Sequence, residues 1–345
     1  MNIIKKYLTN IGPGVIFKKE NFISSKNITG NNFNYYSFGN KNKLKTFYVI
    51  KRSPGSGFFS NLTFILNHLR ISSKFNFIPI IDMQNFTTIY NEKNKIDSTF
   101  NAWEYYFEKL NKYNLQDIYK SKNVIVTNSK FQPNMFIDMA EKKLRKYFFK
   151  LKIKKKFIEK SNIFFKSNFK KNDKILGIHF RGSTYKTARS HPFPPTLEIM
   201  INKIEKLIIN KNYNKIMLVT EELEYLEKLK KKFKEKCIFY PSYRMRKIDA
   251  FKIYPRKKHR YKLGAEILVE TLILSKCHGL TYINSNVISA AKLLSKFDQK
   301  DHKIFYGYNS RNKYIARWLW YLKTYFPFLF GRIREIKNYR KDIDL

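Results

Sequence analysis

Between Lys174 and Leu294, short β-branched apolar runs alternate strictly with longer runs of helical spacing. Few folds accept such an order. Strands are expected at 174–181, 216–219, 238–240 and 280–283, and helices at 196–209, 223–233, 264–276 and 287–294. Strict β/α alternation with short connections specifies a doubly wound parallel sheet. Open parallel sheets bind ligands outside the carboxyl ends of their strands. Three polar clusters stand at those ends: His179 to Ser183, Thr220 to Glu222, and Asn284 to Asn286.

The upstream half repeats the theme once. Thr46-Phe47-Tyr48-Val49-Ile50 has strand length, and Ser53-Pro54-Gly55-Ser56-Gly57 forms a loop at its carboxyl end. Asn61 to Phe75 then places Leu62, Ile65, Leu66 and Leu69 at helical spacing, and Phe77 to Ile81 returns to strand. Gly55 and Gly57 permit a close backbone approach to a ligand. No Gly-Lys-Ser/Thr follows, so the loop is not a Walker motif. A Lys- and Phe-rich helical stretch covers roughly 134–170 and ends near Asn172-Asp173. The expected organisation is a loosely ordered lead-in (1–44), an α/β domain (45–172), a Rossmann-like domain (173–310) and a basic aromatic tail (311–345).

With 69 Lys and Arg against 26 Asp and Glu, the formal charge of the 345-residue chain is +43. Such an excess favours polyanionic partners: nucleic acid, anionic lipid or phosphorylated substrates. Part of it reflects a composition that over-uses Lys, Asn, Ile, Phe and Tyr together, and runs such as Lys230-Lys231-Lys232 read as solvated helix faces. No nucleic-acid-binding motif accompanies the charge. Cys237 and Cys277 lie far apart without metal-ligand spacing, so they are expected to be small buried residues rather than a disulfide or zinc site. No run reaches the ~18 apolar residues of a membrane span, and the amino-terminal residues lack a secretory h-region. A cytoplasmic location is expected.

The strongest chemical signal lies at the end of the 174–181 strand. A period of two puts His179 and Arg181 on one face and Ile178 and Phe180 on the other. An arginine there suits a diphosphate, because its planar guanidinium donates paired hydrogen bonds and stays charged at any working pH.

The run Gly177-Ile178-His179-Phe180-Arg181-Gly182-Ser183 resembles the His-x-Arg motif of the fucosyltransferase superfamily, which includes the α-1,6-fucosyltransferases, the Nod-factor enzymes and the protein O-fucosyltransferases. Further segments match in order. Ser53 to Leu69 resembles the early glycine loop and helix, and Asn101-Ala102-Trp103-Glu104 a Gly-Trp-Glu segment. His191-Pro192 matches a His-Pro, Val219-Thr220-Glu221-Glu222 an Ala-Thr-Asp-Asp element, and Glu270, Leu274-Ser275 and Ser285-Asn286 a late Asp…Leu-Ser…Ser-Ser block. The likeness spans roughly 46–310, to a bacterial-type member.

The resemblance implies a GT-B-like fold of two Rossmann-like domains with the nucleotide site in the cleft. It also implies GDP-fucose as donor, inversion at the sugar carbon, and no metal or other cofactor. By position, Arg181 holds the β-phosphate, His179 lines the GDP site, Glu222 with Glu221 contacts guanine or ribose, and Ser285 and Asn286 hold phosphate. Gly55 and Gly57 approach the nucleotide from the other domain.

Departures from the pattern concern catalysis. The family's Arg-Arg-Thr-Asp-Lys reads Arg181-Gly182-Ser183-Thr184-Tyr185 here, with Lys186 one position late as a substitute. The interval Lys186 to Ser190 lacks the family's basic carboxylate. His191 is the first candidate base, since an imidazole titrates near neutrality; Asp82 and Glu104 are alternatives.

Residues 315–336 interleave Arg and Lys with Trp, Tyr and Phe, as interfacial segments do. They are expected either to lie on the anionic inner face of the plasma membrane or to pack as a helix on the amino-terminal domain. The function expected is thus transfer of fucose to a glycan acceptor, which can be lipid-linked, in surface polysaccharide biosynthesis. The alternatives are another nucleotide sugar, an inactive glycan-binding relative, or a basic nucleic-acid-binding protein.

Overall fold

The computed structural model describes residues 33–128, 142–182, 185–186, 191–246, 249–304, 309–310 and 312–326. The chain forms two compact units, 1–157 with 256–265 and 158–255 with 266–345.

In the first unit, strands β1 (Phe33–Tyr36), β2 (Lys41–Ile50), β3 (Ile78–Ile81) and β4 (Ser121–Thr127) form a sheet in the order β1-β4-β2-β3. Its last three strands are parallel, and β1 runs antiparallel to β4. Order therefore begins well before Thr46, and residues 33–44 of the expected lead-in carry one strand and the start of another. A four-residue strand reading Phe-Asn-Tyr-Tyr offers too short a pattern to recognise; pairing with β4 specifies it. Phe47, Val49, Ile80, Val124 and Val126 build the core of one face with Tyr36, Phe86 and Ile118.

Helix α1 (Phe58–Lys74) is buried around most of its circumference, including Asn61, Thr63, Asn67 and His68. Its polar side chains bond locally: Thr63 Oγ1 donates to Phe59 O at 2.9 Å, and His68 Nδ1 meets Tyr48 Oη at 2.8 Å. Short helix α2 (Leu115–Ile118) precedes β4.

The expected helix over 134–170 resolves into α3 (Lys142–Phe148) and α4 (Lys155–Asn168); residues 134–141 lie outside the described residues. Between them the backbone of Lys152–Lys154 is taken by the 106–108 segment: Glu108 N donates to Lys152 O at 2.8 Å and Lys154 N to Tyr106 O at 3.0 Å. Those bonds pull residues 152–154 out of helix. The unit division at 157/158 leaves most of α4 in the second unit, so the first unit closes before Asn172.

The second unit holds β5 (Ile175–His179), α5 (Leu197–Lys211), β6 (Lys215–Val219), α6 (Leu223–Phe233), β7 (Cys237–Ile238), α7 (His259–Leu274, partly in the first unit), β8 (Gly279–Tyr282), α8 (Asn286–Leu294), β9 (Lys300–Lys303) and α9 (Lys313–Tyr325). All five strands are parallel in the order β7-β6-β5-β8-β9. The chain winds outward from β5 in one direction and then returns to start the other, so the order reverses between β5 and β8. The expected doubly wound sheet is present. Leu176, Ile178 and Phe180 pack with Met200, Ile204 and Leu226 on one face. On the other, a Cβ at Gly177 would stand 2.9 Å from Leu274 Cδ2 and 3.1 Å from Cys277 Cβ, so glycine lets the end of α7 sit close.

Helix α6 occupies the interval expected from the sequence, and α5 starts where Thr196 Oγ1 accepts from Ile199 N at 3.3 Å. Strand β9 (Lys-Asp-His-Lys) has no apolar pattern; as an edge strand paired only to β8, it needs none. Cys237 and Cys277 are free and buried, and burial pushes the Cys237 thiol up to about 12.

Candidate donor-binding site at the reversal of the second sheet

Strand β5 ends at His179. Its side chain is buried, with Nδ1 3.1 Å from Ser285 Oγ just beyond β8. Ser285 also caps α8, accepting from Ile288 N at 3.4 Å. One hydroxyl thus ties the end of β5 to the amino terminus of a nine-residue helix, at the position where the strand order reverses. Burial, then the nearby Arg181 charge, lower the His179 pKa to about 3, so the imidazole is neutral near neutrality.

Arg181 lies past the last residue of β5, and strand alternation no longer governs it. Its Nε donates to Glu221 Oε1 at 3.0 Å, and its guanidinium stands 4.2 Å from the centroid of the Tyr185 ring. His179 therefore leans on the loop after β8, while Arg181 leans on the loop after β6. The single shared face expected from strand alternation becomes two neighbouring contacts.

Glu222 is buried and forms an ion pair with Lys186 Nζ at 2.8 Å. Its amide donates to Thr220 Oγ1 at 3.2 Å. Lys186 Nζ also lies 4.8 Å from the Tyr225 ring and 5.0 Å from the Trp320 ring of α9. Gly182 is the residue that makes this possible: a Cβ there would stand 2.6 Å from Glu222 Oε1 and 2.7 Å from Oε2. A side chain at position 182 would push the Glu222 carboxylate from this position.

The 240–246 loop supports the pair of acids from behind. Met245 N donates to Glu221 O at 2.8 Å, and Leu223 N donates to Met245 O at 2.9 Å. Next to Met245, Arg244 Nη2 is paired with Glu270 Oε1 at 2.5 Å, both side chains buried, with Ser242 Oγ donating to the same oxygen at 2.9 Å. Burial pushes the Glu270 carboxyl up, against Arg244 and Ser242, which pull it down. Arg244 leaves no local signal in the sequence because its partner lies 26 positions away; Glu270 shows there only as part of a motif. Tyr185 and Trp320 are hidden for the same reason.

His191 is linked to Arg181 through the Tyr185 ring. His191 is exposed, its ring 5.1 Å from that of Tyr185, and its carbonyl accepts from Asn309 N at 2.8 Å. Ser183, Thr184 and residues 187–190 lie outside the described residues. Gly55 has φ +75°, and its turn is pinned by Asn61, whose Oδ1 accepts from Ser56 N at 2.8 Å. Gly57 precedes α1 with open space where a Cβ would be.

Asp82 is fully buried and accepts from Gln84 N, Asn85 N, Asn85 Nδ2 and Tyr119 Oη at 2.6–3.1 Å. Every direction of its carboxylate is spoken for, which fits it to hold the 82–85 turn rather than to take a proton from a substrate. Glu104 is half-buried and accepts from Asn101 Nδ2 at 3.3 Å. Among the described residues, no group of three or more His, Cys, Asp or Glu side chains is arranged to hold a metal ion.

No protein-family model matches the sequence, and no curated protein matches it. Solved structures do. The NodZ α-1,6-fucosyltransferase co-crystallised with GDP superposes with a TM-score of 0.50 at 16% identity, over 73% of this chain and 93% of that one. The chain has the fold of the NodZ fucosyltransferase. POFUT1 in complex with GDP-fucose (TM-score 0.46, 8% identity, 75% of this chain and 97% of that one) is a weaker likeness. So is a point mutant of Arabidopsis thaliana FUT1 in complex with GDP (0.46, 12%, 78% and 72%), and both are too distant to add weight. The GT-B-like, two-unit α/β architecture inferred from the motifs is therefore present, while a fold by itself assigns no chemistry.

Helix α9 docks on the second unit, not on the first as the packing alternative had it. Ala316 is buried, Leu319 and Trp320 join the β5–β6 core, and Trp320 meets Phe193 at 5.9 Å. Its outer face carries Tyr314, Trp318, Tyr321 and Tyr325 at helical spacing, each at least 45% exposed. Residues 327–336 of the expected interfacial segment lie outside the described residues. No helix among the described residues is long and apolar enough to cross a membrane.

Proposed function

We propose that this protein is an inverting glycosyltransferase that moves fucose from GDP-fucose to a hydroxyl of a glycan acceptor. One observation carries the reading: the Ser285–His179 contact sets the amino terminus of α8 beside the end of β5, at the reversal of the sheet, with Arg181 two residues on. Ligands of such sheets sit at that crevice. A helix amino terminus and an arginine together favour a diphosphate.

In the transfer, the acceptor oxygen forms a bond to the anomeric carbon from the face opposite the nucleotide. The carbon–oxygen bond to the β-phosphate breaks, and GDP departs with the electron pair. The negative charge that grows on the diphosphate meets Arg181 and the Asn286 end of α8, which stabilise the transition state more than the ground state. His179, neutral and buried, lines the nucleotide site and positions Ser285. Glu221 and Glu222 contact guanine or ribose, with Lys186 holding Glu222 in place. His191 takes the acceptor proton; its exposure leaves it accessible to a bulky substrate.

Isothermal titration with GDP, UDP and CMP tests the donor class, with GDP expected to bind tightest. Arg181→Ala should lower GDP-fucose turnover by about 10²-fold. GDP binding no tighter than UDP binding, or turnover untouched in that variant, would overturn the assignment. A panel of nucleotide sugars separates fucose from other donors.

The acceptor is proposed to be a lipid-linked precursor of a surface polysaccharide. The exposed aromatic face of α9 supports a peripheral seat on anionic lipid, given the formal charge of +43. Co-sedimentation with phosphatidylserine vesicles should fall sharply in Trp318→Ser/Tyr321→Ser; equal binding by that variant, or binding to neutral vesicles alone, counts against it.

A further inference from the structure

The first unit contains a cavity of about 460 Å³ on the flank of the edge strand β3. That volume lies within the range of small-ligand sites. One side is Pro79, Ile80 and Ile81; the rest comes from Gln84, Lys95, residues 98–101, Trp103, Glu104, residues 109–111 and residues 113–116.

The frame of this cavity is firmly hydrogen-bonded. Asn101, buried, donates to Ile81 O at 2.8 Å and accepts from Met83 N at 3.1 Å. Asn111 Nδ2 donates to Pro79 O at 2.8 Å, and Asn114 Oδ1 accepts from Asp117 N at 2.8 Å. These bonds fix the walls whether or not a ligand is present.

The other lining groups are unspent. Among the described residues, the side chains of Gln84, Ser98, Lys109 and Gln116 make no hydrogen bond or ion pair. Glu104 accepts one bond, at 3.3 Å from Asn101, and has no cationic partner among the described residues. Trp103, also in the lining and 5% exposed, holds a buried indole N–H without an acceptor among the described residues. Phe100 offers an exposed ring under Lys95.

The chemistry of the unspent groups selects a ligand class. Glu104 offsets one of the two lining lysines, Lys95 and Lys109, so the lining is not a dedicated anion pocket, and an apolar ligand would strand the amides and the ammonium groups. Sugar hydroxyls donate and accept at once, and their C–H faces stack on aromatic rings. We propose that this cavity binds a neutral saccharide, with Glu104 and Gln84 gripping hydroxyls. Saccharide binding at this cavity stands independently of the donor assignment in the second unit.

Ligand-observed saturation-transfer NMR on the full chain tests it, with glucose, galactose, mannose, N-acetylglucosamine and their β-linked disaccharides as probes and inorganic phosphate as competitor. At least one saccharide should show saturation transfer that phosphate does not displace. Glu104→Gln and Gln84→Ala should each weaken it by about tenfold, the loss of a hydrogen bond to a charged or amide partner. Thermal melting of both variants should match the unaltered chain, which certifies that they fold.

Absence of transfer from every saccharide, full retention in both variants, or displacement by phosphate would each overturn the proposal. The two readings fail separately. Saccharide binding without GDP binding removes the donor assignment and leaves the cavity; GDP binding without saccharide binding does the reverse.

Discussion

Two regions, the end of the second sheet and the cavity beside β3, handle polar groups in opposite ways. At the end of the second sheet, charges come in pairs: Arg181 with Glu221, Lys186 with Glu222, Arg244 with Glu270. Along β3 of the first, Glu104, Gln84 and Lys109 surround a cavity without ionic partners among the described residues. Paired and buried charges hold a fixed geometry and are costly to disturb one at a time. Unpaired and partly solvated ones contribute little to folding and keep their hydrogen-bonding capacity for something else. Mutations should therefore damage stability in one region and binding alone in the other.

Acid gives the largest expected effect. His179 has a folded pKa of about 3 against an ordinary value of 6.5, so only the unfolded chain takes up its proton between those values. The stabilisation is fully present above about pH 6.5 and is lost as pH falls towards 3. At 1.36 kcal/mol per unit the loss is on the order of 4–5 kcal/mol. Urea melts across that window should show it, and His179→Asn should flatten the limb.

Next comes Arg244→Ala, which leaves Glu270 buried without its cation and should cost about 3–5 kcal/mol. A denaturant midpoint unmoved by that change would break the contrast outright. Gly182→Ala follows. It forces the Glu222 carboxylate aside and should cost about 1–3 kcal/mol, with weaker GDP binding, read by thermal melting and titration. At the small end, Lys109→Ala in the first-unit cavity should shift stability by no more than about 0.5 kcal/mol. A larger loss there would mean that the cavity is held together by the groups assigned to its ligand.

Much of the second unit is legible in the sequence because hydrophobic periodicity is strong where helices cover both faces of a parallel sheet. Leu223 to Phe233 and the 175–179 strand can be read nearly to the residue. Phe33–Tyr36 and Lys300–Lys303 cannot, since edge strands are specified by the neighbour they pair with. The break between α3 and α4 is hidden likewise, because the bonds that straighten residues 152–154 come from Tyr106 and Glu108. At the site, local motifs expose His179, Arg181 and the 221–222 acids. Arg244, Tyr185 and Trp320 are meaningful only through contacts made by folding. Asp82 shows the opposite error: a carboxylate after a strand looks available in the sequence, while Tyr119 and Asn85 engage it in the fold.

Gly182 and Glu222 also constrain how this sequence can change. With a Cβ at 182 falling 2.6 Å from Glu222 Oε1, any larger residue at 182 displaces the glutamate, and a displaced glutamate releases Lys186. Positions 182, 222 and 186 are therefore coupled: a change at one alters the cost of a change at the others.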